Sequence, residues 1–267
     1  MTAVSFDVSP SAGSDGADSQ PAGYAVHRYA SVGSTNDEAK RLADQGAADC
    51  TLVVAAEQAG GRGRYGRSWV SPRGNLYASF IYRVDVAPND AAKIGYVAAV
   101  AVADVVGTIL GGEADVLCKW PNDVLVDGQK ITGILPEASI NAGGRLDWIV
   151  LGIGLNVVSS PSDVSRPSTS LQQQGIGDTD LDAVLAALCK SLDFWRDCWL
   201  RDGFDPIREA WMGRTWPIGQ PIRSELPERT LTGRYSGLDE AGALILATED
   251  GRLEKIHYGE IFPLEAR

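Results

Sequence analysis

From Asp115 to Val158 the chain alternates apolar runs with turn signals, and no other stretch constrains the fold as strongly. The runs are Asp115–Trp120, Asp123–Val126, Lys130–Glu137 and Leu146–Val158. Asp127-Gly128 between the second and third is a tight-turn dipeptide, since both residues tolerate positive φ and the turn follows the twist of the strands. Gly143-Gly144 turns the chain again, and Pro121, which has no amide hydrogen to give a ladder, ends the first run. The stretch predicts strands joined by hairpins. Two apolar, partly β-branched runs, Thr51–Ala56 and Leu76–Arg83, add strands ahead of it.

Helices are predicted on either side. Ser34 or Thr35 can cap a helix over Asn36–Gln45, with Glu38 three residues after Thr35 as in a capping box and Gly46 as the stop. A long helix over Ala91–Leu110 ends at Gly111-Gly112, and Leu181–Arg201 and Pro206–Met212 form two more. Pro161–Gln174 is irregular. Beyond Pro217 the pattern changes to short strands with turns at Asp239–Gly242 and Glu249–Gly251. That predicts a small all-β unit of about 50 residues, near the lower size limit for independent folding. Residues 1–22, rich in Ser, Ala, Gly and Asp, have the composition of a disordered tail, with room for one short strand near Val4–Val8. The expected division is a tail over 1–22, a main domain over 23–216 and a small domain over 217–267.

Charge narrows the partners. The net charge is -11 and the pI about 4.7, which argues against nucleic acid, where a basic footprint supplies most of the affinity. Ile94–Leu110, the longest apolar candidate, contains Tyr96 and Asp104, so it is expected as a buried helix and not a membrane span. The N-terminus lacks a basic region followed by an apolar core. Cys50, Cys118, Cys189 and Cys198 are scattered without CxxC pairing, which disfavours structural zinc and a disulfide framework. The expectation is a soluble, cytoplasmic protein.

Against this acidic background, Arg62-Gly63-Arg64-Tyr65-Gly66-Arg67-Ser68-Trp69-Val70-Ser71-Pro72-Arg73 concentrates four arginines and a tryptophan, with Gly60 and Gly61 before it. Guanidinium forks suit phosphate and carboxylate oxygens, tryptophan offers a flat face to a ring, and glycine permits close backbone approach. On these residues alone, a solvated basic turn fits as well as a ligand loop. A second dense stretch is Lys119-Trp120-Pro121-Asn122-Asp123, with Lys130 across the following hairpin. Asp123 has the chemistry to hold a divalent metal beside phosphates, although an aspartate here also suits a plain turn. Taken alone, Lys130 is a surface lysine.

Together, Arg62–Pro72, Lys119–Asp123, Lys130, Gly133 and Gly152-Ile153-Gly154-Leu155-Asn156-Val157 resemble the biotin–protein ligases, over about Ser34 to Leu264. The order and spacing of GRGRxGRxW and KWPND are far more specific than a lone glycine motif. The resemblance implies an α+β fold: a mixed β-sheet flanked by helices, then a small C-terminal SH3-like β-barrel. It implies a reaction in two steps. Biotin's carboxylate attacks the α-phosphate of ATP, giving biotinyl-5′-AMP and pyrophosphate, and a lysine of a biotin carboxyl carrier domain then displaces AMP. ATP, biotin and Mg2+ are the implied small molecules. Carrier domains of acyl-CoA or pyruvate carboxylases are the implied partners, and the protein is expected as a monomer or weak homodimer.

Carried over residue by residue, the resemblance puts Ser34, Thr35, Asn36, Gln58, Arg62, Gly63, Arg64 and Lys130 around biotin or its activated carboxyl. Arg64, Arg67, Trp69, Asn122 and Asn156 fall near the nucleotide, Asp123 near magnesium, and Lys130 and Arg64 in catalysis. For Ser34 and Thr35, helix capping is an equal alternative, and a strand-end turn is one for Asn156. Tyr65 stands where some relatives carry a further arginine, and Gly60 where alanine or threonine is common. Only 33 residues precede Ser34, too few for the helix-turn-helix of the members that double as repressors. Lipoate–protein ligases share the implied fold and a lysine, and a non-catalytic biotin- or nucleotide-binding module is the rival of another class.

Overall fold

The computed structural model describes residues 21–162 and 166–264. The expected tail lies outside the described residues except for Pro21 and Ala22, and so does the short strand near Val4–Val8. The first element, β1 (Ala25–Tyr29), is one that the sequence pattern does not predict. It is an edge strand with no buried residue, so neither a buried run nor an alternation marks it. It pairs parallel to β2 (Thr51–Ala55), and helix α1 (Thr35–Asp44) makes the crossover.

The other main-sheet strands are β3 (Leu76–Tyr82), β4 (Val116–Lys119), β5 (Asp123–Val126), β6 (Gln129–Ile140) and β7 (Leu146–Leu155). Between β3 and β4 runs helix α2 (Ile94–Ile109), entered through a 3-10 turn over Pro88–Lys93. The order β1-β2-β3-β7-β6-β5-β4 makes a seven-stranded mixed sheet in which only β1 and β2 are parallel. The predicted hairpins are present, and Asp127 (φ 48) and Gly128 (φ 75) supply the positive φ that the β5–β6 turn requires.

Strand alternation sorts this sheet into two faces. Leu52, Val54, Phe80, Tyr82, Leu151 and Ile153 point to the large core under α2, α3 (Leu181–Asp202) and α4 (Asp205–Met212). Val53, Ile81, Trp148 and Val150 point the other way, onto Ala39 and Ala43 of α1. The stretch Pro88–Ile109 is long and apolar enough to cross a membrane, but 72% of its apolar window is buried inside the fold. Asp104, the one charged residue of α2, is satisfied by Trp195 Nε1 at 2.8 Å and Arg214 Nη2 at 2.7 Å.

Five C-terminal strands form a second, antiparallel sheet in the order β11-β10-β9-β8-β12, as expected of the small unit. They are β8 (Pro221–Glu225), β9 (Thr230–Leu238), β10 (Leu244–Ala247), β11 (Leu253–Ile256) and β12 (Glu260–Pro263). The unit shares the main core through Ile222, Tyr235, Leu238 and Leu244, and Gly242 O accepts from Tyr96 Oη at 2.5 Å and from Trp120 Nε1 at 3.2 Å. Gly242 has φ +87, and a Cβ there would lie 2.9 Å from the Tyr96 ring, so both conformation and space call for glycine.

Candidate active site

The face covered by α1 opens into a cavity of about 330 Å³ just beyond the helix's N-terminus. Its floor is made by Gly152 and Leu135 of one cross-strand row, which begins at Ser79, and by Gly154, Gly133 and Asp123 of the next, which begins at Tyr77. Glycines lower that floor. A Cβ on Gly152 would collide with Asn36 Oδ1, one on Gly154 with Trp69 Nε1, and one on Gly133 would lie 2.9 Å from the Trp69 ring. The Trp69 indole therefore lies against bare strand backbone.

A polar relay fixes the rim of the helix. Ser34 occupies the N-cap position in extended conformation, yet its side chain makes no cap bond. Gln58 replaces the expected capping box, because its Oε1 accepts from Thr35 N at 2.8 Å and Thr35 Oγ1 at 3.0 Å. Gln58 Nε2 donates to Ser71 Oγ at 2.9 Å, and Ser71 Oγ donates to Trp69 O at 2.9 Å. Glu38, expected to close the box, instead accepts from Tyr29 Oη and Arg41. Asn36, also buried, donates to Leu135 O and Glu137 Oε2 and accepts from Ser79 Oγ at 2.7 Å. Ser34, relieved of capping, lines the cavity.

The arginine-rich segment folds as a short hairpin. An Arg62–Ser68 bridge, Gly63 N to Arg67 O (2.7 Å) and Trp69 N to Gly61 O (2.9 Å) hold it, and Tyr65 (φ 56) and Gly66 (φ 72) turn it. Each of three arginines finds a different anchor. Arg62 pairs with Asp37 at 2.5 Å and Glu137 at 3.4 Å, Arg64 donates to Asn122 Oδ1 at 3.2 Å, and Arg67 pairs with Glu260 of β12. Arg73 turns away to Glu57 and Ala30 O and does not line the cavity. Lys40 stands beside Glu137 and Asp37; burial disfavours its charge, but the two carboxylates outweigh burial and raise its pKa.

Opposite the hairpin, Asn122 is pinned to β6 by Nδ2 donating to Ile134 O at 2.5 Å. Asp123 lies between two lysines, with Lys130 Nζ at 2.5 Å from Oδ1 and Lys119 Nζ at 3.8 Å from Oδ2. Lys130 Nζ also stands 5.4 Å from the Trp69 ring centroid. This is a poor fit for a resident metal: both carboxylate oxygens face ammonium groups, and among the described residues no three His, Cys, Asp or Glu side chains cluster at metal-binding distance. Asn156, 1% exposed, donates through Nδ2 to Thr169 O, while its Oδ1 has no partner, so it anchors a loop and still presents a buried acceptor.

All thirteen residues nominated from sequence line this one cavity. Three charged residues without a nominated role line it too: Lys119, Arg166 and Glu260. Lys119 belongs to a motif already singled out. Arg166 and Glu260 carry no local sequence signal, since one follows an irregular stretch and the other comes from the small domain. The lining counts six cations (Arg62, Arg64, Arg67, Lys119, Lys130, Arg166) against the carboxylates of Asp123 and Glu260, in a chain of net charge -11. Such an excess in a concave site suits a polyanion.

Known proteins resemble this chain in sequence and in fold. The model of the Biotin/lipoate A/B protein ligase family matches residues 29–156, and that of the Biotin protein ligase C terminal domain matches 218–262. The biotin--[acetyl-CoA-carboxylase] ligase of Paracoccus denitrificans is 36% identical over 234 residues, spanning 86% of this chain and 96% of that protein. The bifunctional ligase/repressor BirA of Bacillus subtilis is 33% identical over 235 residues, spanning 86% of this chain and 71% of its own length. A structure of the Aquifex aeolicus biotin protein ligase in complex with biotin and ATP superposes with a TM-score of 0.74 at 27% identity, covering 90% of this chain and 99% of that one.

Proposed function

The chain belongs to the biotin–protein ligase family, and from that premise we propose that it joins biotin to a lysine of a biotin carboxyl carrier domain at the cost of ATP. One observation carries the reading: a single glycine-floored cavity gathers every nominated residue and an excess of positive charge in an otherwise acidic protein.

The first step brings two anions together, the carboxylate of biotin and the α-phosphate of ATP. Lys130 and Arg64 supply the charge that stabilises the phosphorane-like transition state, where a fixed cation is worth more than in water. Asn122 holds Arg64 in place, and Asp123 holds Lys130. Ser34, whose hydroxyl is free of the helix cap, Thr35, Asn36 and Gln58 meet the polar atoms of the ureido ring, the last three oriented by the relay through Ser79 and Ser71. Arg62 and Gly63 line the biotin side of the hairpin, while Arg67, Trp69 and Asn156 serve the nucleotide. Magnesium enters with ATP as part of the substrate, its ligands mainly phosphate oxygens, with Asp123 the protein carboxylate assigned to it. In the second step the acceptor's amine attacks the acyl carbon and AMP leaves.

The partner is a folded carrier domain, and the chain's net charge of -11 speaks against nucleic acid. The same reading keeps the protein in the cytoplasm, as a monomer or weak homodimer, with a domain boundary near residue 217. The experiment is transfer of labelled biotin to a carrier domain with ATP and Mg2+, run beside labelled lipoate. Label on the carrier's lysine from biotin alone supports the reading, and lipoate transfer would replace it with the sister activity.

A further inference from the structure

At the end of the cavity nearest the C-terminal sheet lie cations that the two-step reading above does not use. Phe262 of β12 is flanked by Lys119 Nζ, 4.7 Å from its ring centroid, and by the Arg166 guanidinium, 4.8 Å away. Two residues earlier on the strand, Glu260 is the shared counter-ion of Arg67 and Arg166. One carboxylate thus answers two guanidinium groups.

Lys119 is less satisfied still. Its side chain is 8% exposed, and its nearest carboxylate oxygen, 3.8 Å away, belongs to Asp123, whose carboxylate already pairs with Lys130. Among the described residues its ammonium makes no hydrogen bond at normal length. A buried ammonium so placed, lining a cavity, calls for a further anion. Arg166 is also fixed relative to the catalytic end. Pro167 O accepts from Lys130 N at 3.0 Å, and Lys130 O accepts from Thr169 N at 3.0 Å, so Arg166 and Lys130 sit on adjacent, hydrogen-bonded segments.

We propose that Arg166, together with Lys119, seats the pyrophosphate end of the ATP triphosphate, displacing Glu260 as the counter-ion of Arg166. This rests on the ligase reading. As a carboxylate oxygen of biotin bonds to the α-phosphorus, the bond from that phosphorus to the bridging oxygen breaks. Its electron pair leaves on pyrophosphate, and Arg166 and Lys119 stabilise the charge that accumulates there. Arginine suits this task because its fork can meet two phosphate oxygens at once.

The test separates the half-reactions in Arg166→Ala and Arg166→Lys. Adenylation is followed against ATP concentration, its reversal from isolated enzyme·biotinyl-5′-AMP against pyrophosphate concentration, and transfer from the same complex to a carrier domain without pyrophosphate. For Arg166→Ala the half-saturating concentrations of ATP and pyrophosphate should each rise about tenfold, as loss of one charge-assisted hydrogen bond implies. Biotin affinity and the transfer rate should stay parental, and Arg166→Lys should recover part of the loss. Parental pyrophosphate dependence in Arg166→Ala would overturn the inference while leaving the ligase reading intact. So would a loss confined to the transfer step, which would move Arg166 to the acceptor face. A parent protein that forms no biotinyl-5′-AMP would overturn the ligase reading and this inference with it.

Discussion

Asp123 bridges two lysines: Oδ1 lies 2.5 Å from Lys130 Nζ, and Oδ2 lies 3.8 Å from Lys119 Nζ. Two ammonium groups drawn to one buried carboxylate are held near each other despite their repulsion, so the carboxylate sets their positions as well as their charge balance. Asp123→Asn keeps the shape and removes the charge. Adenylation should fall about a hundredfold, the scale of losing one preorganised electrostatic partner. Biotin affinity, measured by calorimetry without ATP, should change little. A collapse of biotin affinity with normal adenylation would detach Asp123 from the phosphate end.

The glycine floor gives a second prediction. Gly154→Ala puts a methyl group against Trp69 Nε1, and Gly133→Ala puts one 2.9 Å from the same ring. Neither neighbouring strand can recede without breaking the β6–β7 ladder, so the indole has to move. Overpacking of this kind costs about 1–3 kcal/mol. The Trp69 side chain lines the nucleotide end of the proposed site, so ATP should bind more weakly than the stability loss alone explains, with biotin binding spared. Urea denaturation and separate ATP and biotin titrations would distinguish the two effects.

A third prediction concerns acid. Arg41 donates to Glu38 through Nε at 3.0 Å and Nη2 at 2.6 Å, and Tyr29 Oη adds a bond at 2.7 Å. Arg41 and Tyr29 hold the Glu38 carboxyl at about 2, against about 4.3 for a free glutamate. A carboxylate with a depressed folded pKa contributes stability that is complete above the unfolded pKa and is lost as pH falls toward the folded value. Glu38→Gln should therefore be less stable than the parent at pH 7, and the gap should close between about pH 4.5 and 2. A gap that persists unchanged at pH 3 in denaturant titrations would show that packing, not the carboxylate's charge, is responsible.

The sheet from β4 to β7 was legible because its turns carry their own signals, as at Asp127-Gly128, and each strand holds a short apolar stretch. β1 was not, because an exposed edge strand pairs through backbone alone and its side chains keep no pattern. In the site, residues inside dense motifs were legible from their neighbours. Glu260 was hidden because it reaches the cavity only when the small sheet docks, and Arg166 because its place follows from the pairing of its loop with Lys130, 36 residues earlier. The capping expectation at Ser34 and Thr35 failed for a related reason. Local sequence offered Ser34 or Thr35 as cap and Glu38 to close the box with Thr35, but Gln58, 23 residues beyond Thr35, takes the helix-terminal amide.

Lys130 provides the sharpest test of the chemistry. Its ammonium touches Asp123, stands over Trp69 and lines the cavity, with a side chain only 27% exposed. Lys130→Gln retains length and a donor but removes the charge. An interaction stronger in the transition state than in the ground state appears in the rate, because the negative charge on the transferring phosphoryl group and its entering and leaving oxygens is then at its most demanding. Single-turnover adenylation should slow by about 10²–10³. Biotin affinity should drop as well, by a smaller factor, because the carboxylate is already negative when it binds. The melting temperature should stay near the parent's, since Asp123 keeps Lys119 as a partner. A variant that melts normally and forms the adenylate at the parental rate would return Lys130 to the role of an ordinary surface lysine.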